Sequence, residues 1–303
     1  MSAFTIMIDT GCDLPQEYID EHKIASIPIP FQIDGTPHNK GRWQEISGED
    51  FYKALRGGSI AGTALINPET FVHVFTEYAE RGEALLLITL SSGLSGTYDN
   101  SVLALREVKE RFPNCKICTV YSLNAAPGIG LVTVLAVQKR SEGLSLEETA
   151  KWLNENKLKC FALFTVDDLM FLHRGGRVSK IQAIAGSIIG IKPLLCVEPD
   201  GSLKLKEKAR GRKGSLEALA NQMKRCLNPD TKSLDTILIG HGDCEDDAKT
   251  MADLVKASFD VREVLTVMIG PVIGAHSGPG TIALFFFGDM DRNEYEAKFY
   301  KGK

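Results

Sequence analysis

The sequence has no apolar run that approaches the ~18 residues needed for a membrane-spanning helix, so stable membrane insertion is not expected. It also has no excess of basic residues, because 35 Lys and Arg stand against 39 Asp and Glu. The resulting net charge of −4 gives no reason to expect a nucleic acid partner. A basic segment followed by a cleavage site, which would direct secretion, is missing at the start. We therefore expect a cytoplasmic protein.

Internal repeats and low-complexity segments are absent as well. A chain of 303 residues with 44% hydrophobic and 24% charged residues is an ordinary globular sequence, long enough for two domains with separate cores. Most of its seven cysteines lie in apolar runs, which predicts reduced, buried thiols. Cys115 and Cys118 spell C-x-x-C, but they enter a strand and have no second Cys or His pair nearby. We expect no metal and no cofactor.

Strand and helix patterns alternate through the first half of the chain. Residues 84–90 (ALLLITL) form a continuous apolar run, as in a strand that is buried on both faces. A helix is predicted over residues 98–111, a strand over 116–121 and a second helix over 125–139. This βαβα order predicts an α/β fold with a parallel, doubly wound sheet in the first domain.

The second half of the chain mixes hairpin and strand–helix–strand patterns. Strands over residues 192–198 and 203–208 flank an Asp200-Gly201 turn, which predicts an antiparallel hairpin. The second domain is therefore predicted to be α+β with a mixed sheet. The predicted divisions are an α/β domain at 1–157, a second domain at 158–289, and a charged tail at 290–303 that is expected to fray.

Two polar, glycine-bordered loops adjoin apolar strands. The first is LSSGLSGTY at residues 90–98, and the second is GAHSGPGT at residues 274–281. In the second loop, His276 lies beside backbone amides that glycine and proline leave uncovered, a combination suited to an anion or a carboxyl group. In the first loop, Ser95 precedes a helix, where its hydroxyl and free amides can bind an anion. The two loops predict one shared site between them.

The same residues leave two other roles open. Residues 93–97 have the strand–turn–helix placement of a nucleophile elbow, but Thr97 stands where G-x-S-x-G requires its second glycine. A serine hydrolase using Ser95 and His276, with Asp9 as a third member, is the alternative function. A simple capping role for Ser95 is also compatible with the local pattern.

Two further patterns have simpler explanations. Gly128 and Gly130 resemble part of a dinucleotide-binding fingerprint, but Thr133 replaces the third glycine, so close helix packing accounts for them better. Asp13 follows the first strand and could serve an acid–base or metal site. Capping of the next helix is its expected role.

Taken in order, the motifs resemble those of the DegV family, bacterial fatty-acid-binding proteins that include the fatty-acid-binding subunits of fatty acid kinase. The resemblance spans about residues 1–288. The stretches that carry it are DTGCDL (9–14), TALINP (63–68), LSSGLSGTY (90–98), GGRVS (175–179) and GPVIGAHSGPGT (270–281). Ala64 and Leu65 depart from the family pattern, which has Ser and Gln at these positions.

The resemblance implies two domains with one long-chain fatty acid (C14–C18) buried between them. By the same resemblance, the side chains that hold its carboxyl group correspond to Thr63, Ser95 and His276. The loop residues around this group are Ser92, Gly96 and Gly278. The basic residues implicated in docking a kinase subunit correspond to Arg177 and Arg210.

The implied function is that of a carrier without catalytic residues of its own. It would present the carboxyl group to a separate fatty acid kinase subunit, which phosphorylates it to an acyl-phosphate. The sequence contains no G-x-x-x-x-G-K-S/T motif, as expected if ATP binds to that partner. A small-molecule sensor with no kinase partner is a third possibility.

Overall fold

The computed structural model describes residues 4–179 and 190–300. The strands within these ranges are β1 (Phe4–Asp9), β2 (Ala25–Ile27), β3 (Phe31–Ile33), β4 (Thr36–His38), β5 (Ala61–Thr63), β6 (Ala84–Thr89), β7 (Ile117–Tyr121), β8 (Cys160–Thr165), β9 (Ile191–Val197), β10 (Leu203–Arg210), β11 (Ser233–His241), β12 (Asp260–Met268) and β13 (Ile282–Phe287). The helices are α1 (Gln16–Glu21), α2 (Gly48–Arg56), α3 (Pro68–Arg81), α4 (Thr97–Arg111), α5 (Pro127–Ser141), α6 (Leu146–Asn156), α7 (Met170–Arg174), α8 (Gly211–Arg225), α9 (Glu245–Lys256), α10 (Pro271–Ser277) and α11 (Arg292–Phe299), with a 3-10 turn at Lys157–Lys159. None of these helices combines the length and apolar character that crossing a bilayer requires.

The first domain contains the predicted parallel sheet. Its strands lie in the order β2-β1-β6-β7, and all of the pairs are parallel. The apolar run predicted to be a buried strand is β6, in which Leu85 to Ile88 have no exposed surface. Helices cover this sheet because a strand that is apolar on both faces must be shielded from water on both sides.

The second domain contains a six-stranded mixed sheet in the order β10-β9-β8-β13-β11-β12. The β11–β12 pair is parallel, and the other pairs are antiparallel. The predicted hairpin is β9–β10, which turns at Asp200-Gly201 with Gly201 at a φ of +85°. The predicted fold class, α/β with a parallel first sheet and a mixed second sheet, is confirmed. The domain boundary after residue 157 stays a prediction.

Helix α5 lies between the two sheets and contacts strands of both. Its glycines allow this close approach. A Cβ on Gly128 would lie 2.6 Å from Asn124 Oδ1 and 2.9 Å from the Phe285 ring, and one on Gly130 would lie 3.0 Å from Leu14. The glycines that resemble a dinucleotide fingerprint therefore serve helix packing, as expected.

A small antiparallel sheet, β4-β3-β5, projects from the first domain. The sequence predicts its Asp34-Gly35 hairpin turn, but it treats residues 24–31 as one strand. In the structure this segment is divided between β2 and β3, because residues 28–30 leave the parallel sheet before the chain enters the small one. The third strand, β5, carries Thr63 into the region between the domains.

The described part of the C-terminal segment, residues 290–300, does not fray as predicted. Residues 292–299 form α11, which begins with a capping box at Asp291 and Glu294. Tyr295 is buried against Phe161 with ring centroids 5.5 Å apart, and Arg292 is only 2% exposed. These two contacts anchor the helix. They could not be predicted from the sequence, because the segment is highly charged.

Arg292 joins the two domains. Its Nη1 donates to the carbonyl of Leu123 in the first domain at 3.1 Å, and to those of Val197 and Glu198 in the second at 3.2 and 3.1 Å. Buried carbonyl groups without a donor are costly, so this side chain stabilises the junction.

We predict that Arg292→Ala lowers the free energy of unfolding by about 1–3 kcal/mol, because the buried carbonyl groups of Leu123 and Val197 and the half-buried one of Glu198 lose their shared donor. Denaturant titration followed by circular dichroism measures this loss. Asn293→Ala, at an exposed position of the same helix, is the matched control and should change stability by less than about 0.5 kcal/mol. Equal stability of the two variants would contradict the assigned role of Arg292.

Candidate functional site

A narrow cavity lies between the two domains. Its apolar wall comes from Ile29, Leu90 and Ala125 on one side and from Phe164, Val197 and Phe285 on the other, among other residues. The space between its lining atoms is about 770 Å³ including the mouth, and only a small part of this space is wider than a water molecule. The cavity is therefore suited to a slender apolar group.

Polar side chains from separate parts of the chain meet on the wall of this cavity. Thr63, Ser95, Arg177 and His276 all line it. Thr63 Oγ1 lies 2.8 Å from His276 Nε2, a hydrogen bond between residues 213 positions apart in the sequence. The structure thus brings the three predicted carboxyl-binding residues to one cavity, and their role as ligands stays a prediction.

The imidazole of His276 is neutral near pH 7. Burial lowers its pKa from 6.5 to about 4, and the nearby positive charge of Arg177 adds to this shift. Its Nδ1 is buried and has no hydrogen-bond partner within the described ranges. A Cβ on Gly175 would lie only 2.2 Å from Nδ1, so the first glycine of GGRVS makes room for this ring.

Arg177 bridges two of the predicted loops. Its Nε donates to the carbonyl of Leu94 at 3.1 Å, and its Nη1 donates to the carbonyl of Gly175. The half-buried guanidinium lines the cavity near His276, where it can compensate a negative charge. The structure therefore places Arg177 at the cavity, whereas the resemblance implies a docking role, which stays a prediction.

Ser95 is not arranged as a nucleophile. Its Oγ lies 3.0 Å from Thr97 Oγ1 and accepts a hydrogen bond from the Thr97 amide at 3.3 Å, whereas the hydroxyl bonded to His276 is that of Thr63. The carboxylate of Asp9 accepts hydrogen bonds from the amides of Gly11 and Leu90. None of these contacts is the nucleophile–base or base–acid contact of a hydrolase triad, so the geometry does not favour that alternative.

Two side grooves meet the cavity at its polar residues. One, of about 690 Å³ between its lining atoms including its open side, is lined by residues that include Ser92, Ser95, Gly96 and Arg177. The other, of about 590 Å³ in the same terms, is lined by residues that include Thr63, Arg177 and His276. A carboxyl group held here would lie next to openings toward solvent.

Of the other predicted residues, Gly278 lies beside the site and Arg210 lies outside it. Gly278 ends α10 with a φ of +76°, and a Cβ there would lie 2.5 Å from the ring of Phe171, so only glycine fits. Arg210 ends β10 as an exposed side chain and lines neither the cavity nor the two grooves. Its predicted docking role is therefore separable from ligand binding.

The expected role of Asp13 is wrong. Helix α1 begins after Pro15 with no side-chain cap, and the carboxylate of Asp13 accepts a hydrogen bond from the amide of Gly270, just before α10. The sequence also gives no signal for the contact of Ser91, whose Oγ donates to the Gly201 carbonyl at 2.9 Å. A Cβ on Gly93 would collide with Gly201, so the β9–β10 turn packs tightly against the first loop.

A family model described as "Uncharacterised protein, DegV family COG1307" matches residues 3–289. The chain belongs to the DegV family. The predicted resemblance is thereby confirmed over nearly the whole chain.

Among DegV proteins, a DegV domain-containing protein of Clostridium perfringens is 39% identical to this chain over 95% of its length and 99% of the relative. A Thermotoga maritima structure reported to reveal a fatty-acid-binding function is 29% identical, with a TM-score of 0.82 over 95% of this chain and 100% of that one. The fatty acid kinase B3 protein of Streptococcus pneumoniae, loaded with linoleic acid, is 19% identical with a TM-score of 0.80 over 95% and 100%. At that identity the last comparison shows the fold alone.

The lowered pKa of His276 predicts a pH-dependent loss of stability in the ligand-free DegV protein. On acidification, the unfolded chain takes up a proton at His276 near pH 6.5, whereas the folded chain does so only near pH 4. Stability should therefore fall between these values, and the contribution of His276 at pH 4.5 is about 2–3 kcal/mol.

Urea titrations of the wild type and His276→Gln at pH 7.5 and 4.5 give the stability that each protein loses on acidification. The difference between these two losses measures the contribution of His276. The exposed His73→Gln is the matched control and should reproduce the wild-type profile. A His276→Gln protein that loses as much stability as the wild type on acidification would contradict the neutral, buried assignment.

Proposed function

We propose that this protein is a cytoplasmic carrier that binds one long-chain fatty acid, C14–C18, in the cavity between its domains. The carboxyl group is held by Thr63, Ser95 and His276, and it is presented to a separate kinase subunit for phosphorylation. The chain supplies no catalytic group in this proposal. It positions a substrate on which the partner acts.

The observation that carries the proposal is the composition of the cavity wall. Apolar side chains of both domains form most of it, and the hydrogen-bonded Thr63 and His276 lie on it together with Ser95 and Arg177. A molecule with a long apolar tail and one anionic head matches this arrangement. The fatty-acid-binding function reported for the Thermotoga relative supports the same ligand class.

The apolar tail and the carboxylate head of a fatty acid contribute to binding in different ways. About 15 buried CH₂ and CH₃ groups of a C16 chain contribute on the order of 12 kcal/mol, at ~0.8 kcal/mol for each. Association and ordering cost several kcal/mol, which leaves enough for sub-micromolar affinity. A carboxylate buried without partners would be expensive, so hydroxyl donors and a nearby guanidinium are needed to hold it.

Phosphorylation requires that the carboxylate be reachable from outside. The two grooves beside Thr63 and Arg177 give such access while the tail remains in the apolar part of the cavity. A carboxylate oxygen would form a bond to the γ-phosphorus of ATP held by the partner, and ADP would leave. The motifs that resemble those of fatty-acid-binding subunits of fatty acid kinase are the basis for this part of the proposal.

We predict that the purified protein carries a stoichiometric fatty acid. Native mass spectrometry should show one mass increment, and denaturing extraction should release a C14–C18 acid. Thr63→Val and His276→Ala should each lower the retained fraction, because an apolar or missing side chain cannot hold the carboxylate, with affinity falling by ~10- to 100-fold. Ser258→Ala, at an exposed position that lines neither the cavity nor the two grooves, is the control. A bare protein that also fails to take up added oleate or palmitate would refute the proposal.

We predict that Arg210→Glu reduces acyl-phosphate formation with a fatty acid kinase catalytic subunit by ~10-fold or more and leaves lipid retention unchanged, because the side chain is exposed away from the cavity. Arg177→Glu should impair both steps, since Arg177 contacts Leu94 and Gly175 at the site. Lys151→Glu, an exposed charge reversal on α6, controls for net charge. Unchanged phosphorylation of the Arg210→Glu protein would remove Arg210 from the docking surface.

A further inference from the structure

The three proposed carboxyl-binding residues come from three segments that are far apart in the sequence. Thr63 ends β5, Ser95 lies in the loop after β6, and His276 lies in α10. One buried stretch, Asp9–Asp13, begins at the end of β1 and leads toward α1. It is hydrogen-bonded to the segments that carry Ser95 and His276 and to the segment that precedes β3, the partner strand of Thr63.

Asp9 holds the segment that carries Ser95. Its Oδ2 accepts a hydrogen bond from the amide of Leu90 at 2.6 Å, and its Oδ1 accepts one from the amide of Gly11 at 2.8 Å. The turn is built directly after Leu90, because the amide of Ser95 donates to the carbonyl of Ser91 at 3.0 Å. The position of Leu90 therefore sets the position of Ser95.

Thr10 fixes the segment that leads into β3, the strand that is paired with Thr63. Its Oγ1 accepts a hydrogen bond from the amide of Ile29 at 2.8 Å. The next carbonyl, that of Pro30, accepts a hydrogen bond from the amide of Ala64 at 3.0 Å, and Phe31 is opposite Thr63 in the β3–β5 pair.

Asp13 holds the segment that carries His276. Its carboxylate accepts a hydrogen bond from the amide of Gly270, the residue before α10, and its Oδ1 lies where a Cβ on Gly270 would be only 2.5 Å away. His276 follows six residues later on the same short helix.

We propose that Asp9, Thr10 and Asp13 are positioning residues that align Ser95, Thr63 and His276 for one carboxyl group. This inference rests on the proposed function. None of the three touches the ligand. Asp9 and Asp13 each act through a backbone amide of the segment that carries Ser95 or His276. Thr10 acts through the amide of Ile29, just before the strand that is paired with Thr63.

A role in stability explains these residues less well. Asp9 and Asp13 are buried, and burial raises their pKa values to about 6 and 7, respectively. The guanidinium of Arg42 lies near Asp13, but it donates its own hydrogen bonds to the carbonyls of Cys12 and Leu14. A buried carboxylate without a close ion-pair partner costs free energy, so its value lies in the amide that it fixes.

The test compares two ligands that share a tail and differ in the head, myristic acid and 1-tetradecanol. Their affinities are measured by displacement of a fluorescent fatty acid from the full-length protein. Misplaced donors weaken binding of the carboxylate and leave binding of the tail intact. A general loss of structure weakens both ligands equally.

Each variant is chosen for the hydrogen bonds that its new side chain can still accept. Asp13→Ala removes the acceptor for the Gly270 amide, whereas Asp13→Asn keeps one carbonyl oxygen and should rescue binding. Asp9→Asn cannot accept from both amides, because its NH₂ group replaces one oxygen. Thr10→Val removes the acceptor for Ile29.

We expect Asp9→Asn, Thr10→Val and Asp13→Ala to weaken myristate binding ~10-fold or more and tetradecanol binding less than ~3-fold, with Asp13→Asn close to wild type. Equal weakening of both ligands, or no weakening of either, would overturn the positioning role. If one variant does not fold, the Asp13→Ala and Asp13→Asn pair decides. A wild-type protein that binds neither ligand would overturn the proposed function, and this inference with it.

Discussion

The hydrogen bond between the Thr63 hydroxyl and His276 Nε2 is the contact on which the candidate site depends. It joins the small antiparallel sheet to helix α10 at the wall of the interdomain cavity. The ring forms this bond as a neutral group, because burial and the charge of Arg177 keep its pKa near 4. The lack of a side chain at Gly175 leaves space for the ring, and Arg177 of the same motif adds to the effect of burial that keeps it neutral.

The cavity exists because the two domains are held at a fixed separation. Helix α5 packs against both sheets, and its glycines allow the backbone to approach each of them closely. The β9–β10 turn contacts Ser91, and Arg292 contacts carbonyl groups of both domains. Each of these contacts crosses the domain boundary, so the wall of the cavity is built by packing between domains and not by either domain alone.

Much of this arrangement could be predicted from local patterns. The apolar run at β6 and the Asp200-Gly201 hairpin are both confirmed, because each depends on residues adjacent in the sequence. The errors involve partners that are distant in the sequence. Asp13 lies in the sequence where a helix cap is expected, but its carboxylate accepts a hydrogen bond from the amide of Gly270. The charged C-terminal segment is ordered by contacts to residues of β8 and of the domain junction.

The fold class, the two polar loops and the residues that resemble those of DegV proteins could all be predicted from the sequence, since periodicity and motif spacing are properties of a single chain. The pairing of Thr63 with His276 and the place of Arg177 at the cavity are visible only in the folded protein. These relations follow from strand register and from packing between domains. Both depend on which distant segments come together, and no local pattern specifies that.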